Sequence, residues 1–204
     1  MKNPGKIFKQ EVTMDIKLIN INKSFKGQQV LRNVNMTFPK GRITCIMGAS
    51  GTGKTTLANI LMGLQEADSG EIHGLQDKKI SAVFQEDRLI EHWDAIKNIL
   101  LVCQAEVTKE MVDEELKNIG MAEYEGKAVK ALSGGMRRRV ALVRATLSDY
   151  DVLIMDEPFK GLDEALKKLV INYIKKKTKD KTVIIITHDK EEVALLDANV
   201  ITIS

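Results

Sequence analysis

Gly48-Ala49-Ser50-Gly51-Thr52-Gly53-Lys54-Thr55 lies between an apolar run, Ile43-Thr44-Cys45-Ile46-Met47, and a segment with helical spacing, Thr56-Leu57-Ala58-Asn59-Ile60-Leu61-Met62. A buried strand, a glycine-rich turn and a helix are the context a phosphate-binding loop requires. The glycines let successive backbone N–H groups point inward as an anion nest, and the helix N-terminus adds positive dipole. Lys54 is placed to reach the β- and γ-phosphates, the Thr55 hydroxyl to ligate Mg²⁺, and Thr56 to bond the α-phosphate. A flexible turn with a solvated lysine is the plainer reading. It is outweighed because Gly48, Gly53, Lys54 and Thr55 all match in one strand-to-helix context. The stretch therefore implies a nucleoside triphosphate site.

Composition agrees with a folded unit: the 204 residues are 44% hydrophobic and 29% charged. At this length roughly 70% of the unfolded surface can be buried, so no covalent staples are needed. The net charge of +3 is too small to point to nucleic acid or an anionic membrane. Two cysteines, one in the strand before the phosphate loop, indicate reduced thiols rather than a disulfide framework. About 20 consecutive apolar residues are needed to span a bilayer, and the longest runs here fall well short. Any spanning must come from another chain.

Met1 to Thr13 is basic and polar with Pro4-Gly5, which predicts a flexible tail, with Met14 as a second candidate start. Ile16 to Ile21 alternates like a half-exposed strand. A turn follows at Lys26-Gly27, then Val30 to Phe38, then Pro39-Lys40-Gly41 leads into the phosphate-loop strand. These pieces predict an antiparallel flap beside the site. Two readings fit Phe25, just before that turn: a ring stacked on a purine, or an ordinary core aromatic. Ser69 to Ile72 and Ile80 to Phe84 read as short strands, the second followed by Gln85. From Asp87 to Tyr150 the periodicity is helical, with Val107, Met111, Leu116 and Ile119 on one helix face. Val152-Leu153-Ile154-Met155 and Thr182 to Thr187 are continuous apolar strands of the kind covered on both faces. Between them Glu164 to Lys177 reads as a helix, and Val200 to Ile203 as an edge strand. The basic runs Arg137-Arg138-Arg139 and Lys175-Lys176-Lys177 read as solvated helix faces rather than nucleic-acid contacts.

Asp156-Glu157 ends the strand begun at Val152. Ligands of open α/β sheets sit beyond the C-terminal strand ends, so both carboxylates arrive on the phosphate loop's side. Asp156 suits Mg²⁺, and Glu157 suits polarising an attacking water. The Ser-Gly-Gly of Leu132-Ser133-Gly134-Gly135-Met136 opens a second helix, read as Met136 to Leu147. It is either an anion site with free N–H groups and a hydroxyl or a plain N-cap.

Together these motifs resemble an ATP-binding cassette (ABC) ATPase domain from about Asp15 to Ser204. The phosphate loop at 48–55 is followed in order by Gln85, Leu132–Gly135 and Val152–Glu157. Gly161-Leu162-Asp163 and Thr187-His188-Asp189 complete the set. The resemblance implies an α/β fold: a P-loop NTPase (RecA-like) core, 14–86 and 150–204, with the antiparallel β flap and an inserted α-helical subdomain at about 87–149. It implies ATP and Mg²⁺ as cofactors, with Thr55, Gln85 and Asp156 on the metal. Glu157, His188 and Gln85 are implied in hydrolysis, and Phe25 on adenine. Around the phosphates it implies Gly48, Ala49, Ser50, Gly51, Thr52, Gly53, Lys54, Thr55 and Thr56. Ser133, Gly134, Gly135 and Asp163 are implied to complete a second copy's site, so that two copies enclose two nucleotides head to tail.

Implied partners are a homodimer or pseudo-symmetric dimer of ATPase domains, integral membrane permease subunits and an external substrate-binding protein. No nucleic acid is implied, and the place of action is the cytoplasmic face of a bacterial membrane. Phe84 to Leu89 is similar to the glutamine-loop region of importers for nitrate, sulfonates and taurine. The alternatives are a soluble ABC ATPase and an exporter-coupled one. Two positions depart from the usual pattern: Met136 stands where Gln is usual, and Phe25 where Tyr is common. Because the sequence ends soon after the last expected strand, no added regulatory domain is expected.

Overall fold

Parallel pairing is the frame of the molecule. The computed structural model describes residues 14–203. The expected tail at 1–13 lies outside the described residues. One sheet is built from β3 (Ile43–Met47), β5 (Ile80–Val83), β6 (Val152–Asp156), β7 (Thr182–Ile186) and β8 (Asn199–Thr202). Its order is β5-β6-β7-β3-β8, with every neighbouring pair parallel and β8 on the edge as expected. The second sheet is antiparallel: β1 (Ile16–Phe25) pairs with β2 (Gln28–Phe38) on one side and β4 (Ser69–His73) on the other. Its hairpin closes through Lys26-Gly27, both at positive φ, the geometry of the tight two-residue turn. This is the expected flap.

Side-chain alternation along the parallel strands explains their unbroken apolarity. Cys45, Leu153, Met155, Val183 and Ile185 join one core cluster with the helices that follow β5. Ile46, Val152, Ile154, Ile184 and Ile186 join another with α1 (Lys54–Leu61) and the inner face of the antiparallel sheet, including Leu18, Leu31 and Phe38. Both faces are covered, so both must be apolar. The Cys45 thiol is free and fully buried, and burial pushes its pKa up to about 12.

Between β5 and β6 the chain forms α2 (Ala95–Leu100), α3 (Lys109–Asn118), a 3₁₀ turn (Val129–Ala131) and α4 (Gly134–Leu147). The only strand-like pairing in that stretch, among the described residues, is an isolated bridge from Asp94 to Ala128. After β6, α5 (Glu164–Lys177) has the expected bounds, and α6 (Lys190–Leu196) precedes β8.

Three expectations are corrected. Met111 is 46% exposed; the inner face of α3 is Val112, Glu115 and Leu116. Glu115 can be inside because Tyr173 donates to it at 2.8 Å and Lys177 pairs with it at 2.6 Å. The helix α4 begins at Gly134 rather than Met136, because Ser133 is its N-cap and accepts from Met136 N–H. Arg138 and Arg139 are buried rather than solvated, each donating to backbone carbonyls.

Candidate functional site

Because β3, β6 and β7 run parallel and adjacent, their C-terminal ends open on one edge of the sheet. Gly48 follows β3, Asp156 ends β6, and Thr187-His188 follows β7. The phosphate loop is tightly cased. A Cβ on Gly48 would lie 2.4 Å from the Ile203 carbonyl oxygen. Gly53 has φ +87°, and a Cβ there would come within 2.7 Å of the Leu31 side chain, so β2 is the wall that enforces glycine. Gly53 supplies no side-chain cap to α1, which leaves the first-turn N–H groups available to an anion. The Thr52 hydroxyl donates back to the Ala49 carbonyl at 2.9 Å and holds the loop's curvature.

Lys54 is buried, with its ammonium donating to the carbonyls of Gly48 at 2.9 Å and Ala49 at 2.6 Å. The loop thereby holds a cation at its own centre, where phosphate oxygens can replace or join those carbonyls. Thr55 Oγ1 donates to Asp156 Oδ2 at 2.8 Å, joining the start of α1 to the end of β6. Asp156 is buried. Desolvation raises its carboxyl above the ordinary value, while the Thr55 hydrogen bond pulls the other way. A hydroxyl and a carboxylate in contact are hard oxygen donors of the kind Mg²⁺ takes beside phosphates, so these residues fit that ion.

Glu157 adopts φ +50°, a left-handed conformation costing a non-glycine residue about 1–3 kcal/mol. Its N–H donates to the Ile186 carbonyl at 2.9 Å, which anchors the turn to β7. Its Oε1 lies 2.8 Å from His188 Nδ1. The Glu157 side chain is mostly shielded while the His188 ring is exposed, so the pair spans from the cleft floor to its mouth.

A cleft of about 550 Å³ gathers Gly48, Ala49, Ser50, Gly51, Gly53, Lys54, Thr55, Thr56, Gln85, Asp156, Glu157 and His188. Thus four segments far apart in sequence meet at one place. Phe25, Ser133, Gly134, Gly135 and Asp163 are not on its lining. Phe25 is 42% exposed at the end of β1, which removes the core-aromatic reading. Asp163 caps α5 by accepting from Leu166 N–H at 2.9 Å, as Ser133 caps α4. Gly134 and Gly135 line a neighbouring cleft of about 620 Å³, which shares Thr55, Gln85, Asp156 and Lys160 with the first. Lys160 escaped the sequence reading although it stands three residues after Glu157. Arg138 escaped it as well, because its partners are Phe84 and Gln85.

A family model described as ABC transporter matches residues 31–160. The chain belongs to the ABC transporter family. Among curated ABC relatives, it is 33% identical to the aliphatic sulfonates import ATP-binding protein SsuB 2 of Pseudomonas syringae pv. syringae, covering 100% of this chain and 74% of that protein. It is 34% identical to the spermidine/putrescine import ATP-binding protein PotA of Fusobacterium nucleatum subsp. nucleatum, over 87% of this chain and 52% of that one. The sulfate/thiosulfate import ATP-binding protein CysA of Bacillus cereus is 32% identical, over 88% of this chain and 56% of that one. The chain thus spans roughly half to three quarters of these relatives' length. Among solved ABC structures, the dimeric bacterial transporter cassette MJ0796 superposes with a TM-score of 0.80 at 27% identity, covering 92% of this chain and 94% of that one. The same cassette in a dimeric post-hydrolysis state with ADP and Pi gives 0.81 at 28% identity, covering 93% and 94%.

Proposed function

We propose that this chain is the ATP-binding and ATP-hydrolysing subunit of a membrane ABC importer. Its observation of greatest weight is the convergence, in one cleft, of Lys54 in a glycine-rich loop, the Thr55–Asp156 contact and the Glu157–His188 contact. On this reading the chain is one cassette, a core of 14–86 and 150–204 with a helical insertion at about 87–149.

Lys54 and the loop N–H groups hold the β- and γ-phosphates in line. Thr55 and Asp156 hold Mg²⁺, with Gln85 reaching the same place; when bound, the ion offsets phosphate charge. Glu157 orients and polarises the attacking water, and His188, already in contact with it, keeps that carboxylate aimed at the γ-phosphate. Phe25, exposed at the end of β1, stacks on adenine. Ser133, Gly134, Gly135 and Asp163 lie away from the cleft because they serve the nucleotide of a second copy. The dimeric state of the MJ0796 cassette supports that arrangement. ATP then closes the pair and its hydrolysis releases it, which drives the permease.

Import rather than export is supported by relatives described as import ATP-binding proteins. Among the described residues no helix is long and apolar enough to cross a membrane. Permease subunits and an external binding protein are therefore the proposed partners, with work at the cytoplasmic face. The decisive assay is phosphate release from ATP by the purified chain with and without Mg²⁺. Turnover that needs the ion supports the reading, and none under any condition removes the enzymatic part of it.

A further inference from the structure

Two arginines of α4 carry the backbone that follows β5. Arg138 donates to the Phe84 carbonyl at 2.6 Å and to the Gln85 carbonyl at 2.5 Å, and its Nε lies 3.3 Å from Asp87 Oδ1. Arg144 donates to the carbonyls of Asp87 at 3.0 Å and Arg88 at 2.8 Å. Arg88 folds back with its guanidinium 3.7 Å from the centre of the Phe84 ring. Four carbonyls between Phe84 and Arg88 are thus taken by one helix. The pair bound by Arg138 has a particular geometry. The Phe84 and Gln85 carbonyls belong to the two peptide planes flanking the Gln85 Cα. Fixing both planes fixes the direction in which the Gln85 side chain leaves the backbone. That side chain is exposed and lines both clefts.

We propose that Arg138 is a positioning residue for Gln85, clamping the peptide planes on either side of it so that the glutamine travels with α4. The same helix begins with Gly134 and Gly135 behind the Ser133 cap. A displacement of α4 by nucleotide at its N-terminus is then delivered to Gln85 in the chain's own cleft. A guanidinium suits the task because its rigid fork presents separate N–H groups to two carbonyls; an ammonium is a single point of charge. The inference rests on the proposed role of Gln85 in hydrolysis.

The test is a double-mutant cycle on the full-length chain, measuring kcat and KM for ATP hydrolysis. Arg138→Ala is expected to lower kcat by about tenfold, the scale of one misplaced hydrogen-bonding group, with KM within about twofold of wild type. Gln85→Ala is expected to lower kcat similarly, and adding Arg138→Ala to it to cause no further loss beyond about twofold. Arg138→Lys keeps the charge and is expected to fold, yet to lose kcat as the alanine variant does. Multiplying losses in the double variant, or wild-type kcat in Arg138→Lys, would overturn the proposal while leaving Gln85 its role. A Gln85→Ala variant with normal turnover would remove that role, and this inference with it.

Discussion

At the scale of a single residue, Glu157 is the proposed base of the reaction, and its backbone shows the constraint. A left-handed φ is held at a carboxylate whose neighbour is Pro158, and the N–H bond to Ile186 and the contact with His188 secure it from two sides. Glu157→Gln keeps the volume and removes the base. Its kcat is expected to fall by about 10²–10⁴-fold, while a fluorescent ATP analogue binds as tightly as to wild type and size-exclusion chromatography with ATP shows a lasting dimer. Near-normal turnover would take Glu157 out of the chemistry. Lys54 differs in kind. Its ammonium already sits among loop carbonyls, so Lys54→Ala removes the proposed charge-assisted phosphate contact and the loop's own filler together. Triphosphate affinity is expected to drop about 10–100-fold, the equivalent of one hydrogen bond to a charged group. Isothermal titration measures it, and unchanged affinity would contradict the phosphate-loop assignment.

Between elements, the join of α3 to α5 is polar where a core would ordinarily be apolar. Tyr173 donates to Glu115 at 2.8 Å and lies 3.2 Å from the Thr146 hydroxyl, while Lys177 pairs with Glu115 from the end of α5. Burial, with the carboxylate of Glu115 beside it, pushes the Tyr173 hydroxyl's pKa well above that of an ordinary phenol, so it remains a donor. Tyr173→Phe is expected to destabilise the chain by about 1–3 kcal/mol, since Glu115 loses a donor it cannot replace with water. A urea midpoint shifted without a change in slope measures that loss, and an unmoved midpoint would mean the network is slack. The same network marks where sequence reading stops. Strand, phosphate loop and helix were legible because their determinants are contiguous, and α5 was legible as the run between two apolar strands that ends in a lysine cluster. Glu115 on the inner face of α3 was not, since its partner Tyr173 is 58 positions away. Arg138 was hidden likewise, with its carbonyl partners 54 and 53 positions back. The short α6 was missed although its cap, Asp189, accepts from Glu191 and Glu192 N–H in plain sequence view. In the site, Asp156 and Glu157 were legible from the end of their strand and Gln85 and His188 only from the family resemblance, whereas Lys160 gave no signal of its own.

For the whole molecule, the division of the proposed site is the consequential fact. Ser133, Gly134, Gly135 and Asp163 are off the cleft that holds Lys54 and Glu157, so one copy presents half of what hydrolysis is proposed to need. Two copies related by a two-fold axis would form two complete sites, each using one copy's phosphate loop and the other's α4 N-terminus. Activity should then follow the concentration of pairs. Below the dimerisation constant the total rate is expected to rise as the square of chain concentration, and above it in direct proportion. Sedimentation with ATP, on the Glu157→Gln variant so that closed pairs persist, locates the crossover independently. A rate that stays proportional to concentration far below that point would show that a solitary chain suffices. Complementation separates shared sites from mere stabilisation by pairing. A Lys54→Ala chain lacks its own phosphate contact, and a Ser133→Arg chain obstructs the surface offered to its partner. At an ATP concentration far below the weakened affinity of the Lys54→Ala site, each alone is expected to be nearly inactive. Mixed, they form heterodimers with one site spoiled twice and the other intact, because the second chain's Lys54 faces the first chain's Ser133. Hydrolysis should therefore return on mixing to a fraction of wild type, and silence in the mixture despite demonstrated heterodimers would mean that each chain's chemistry is its own.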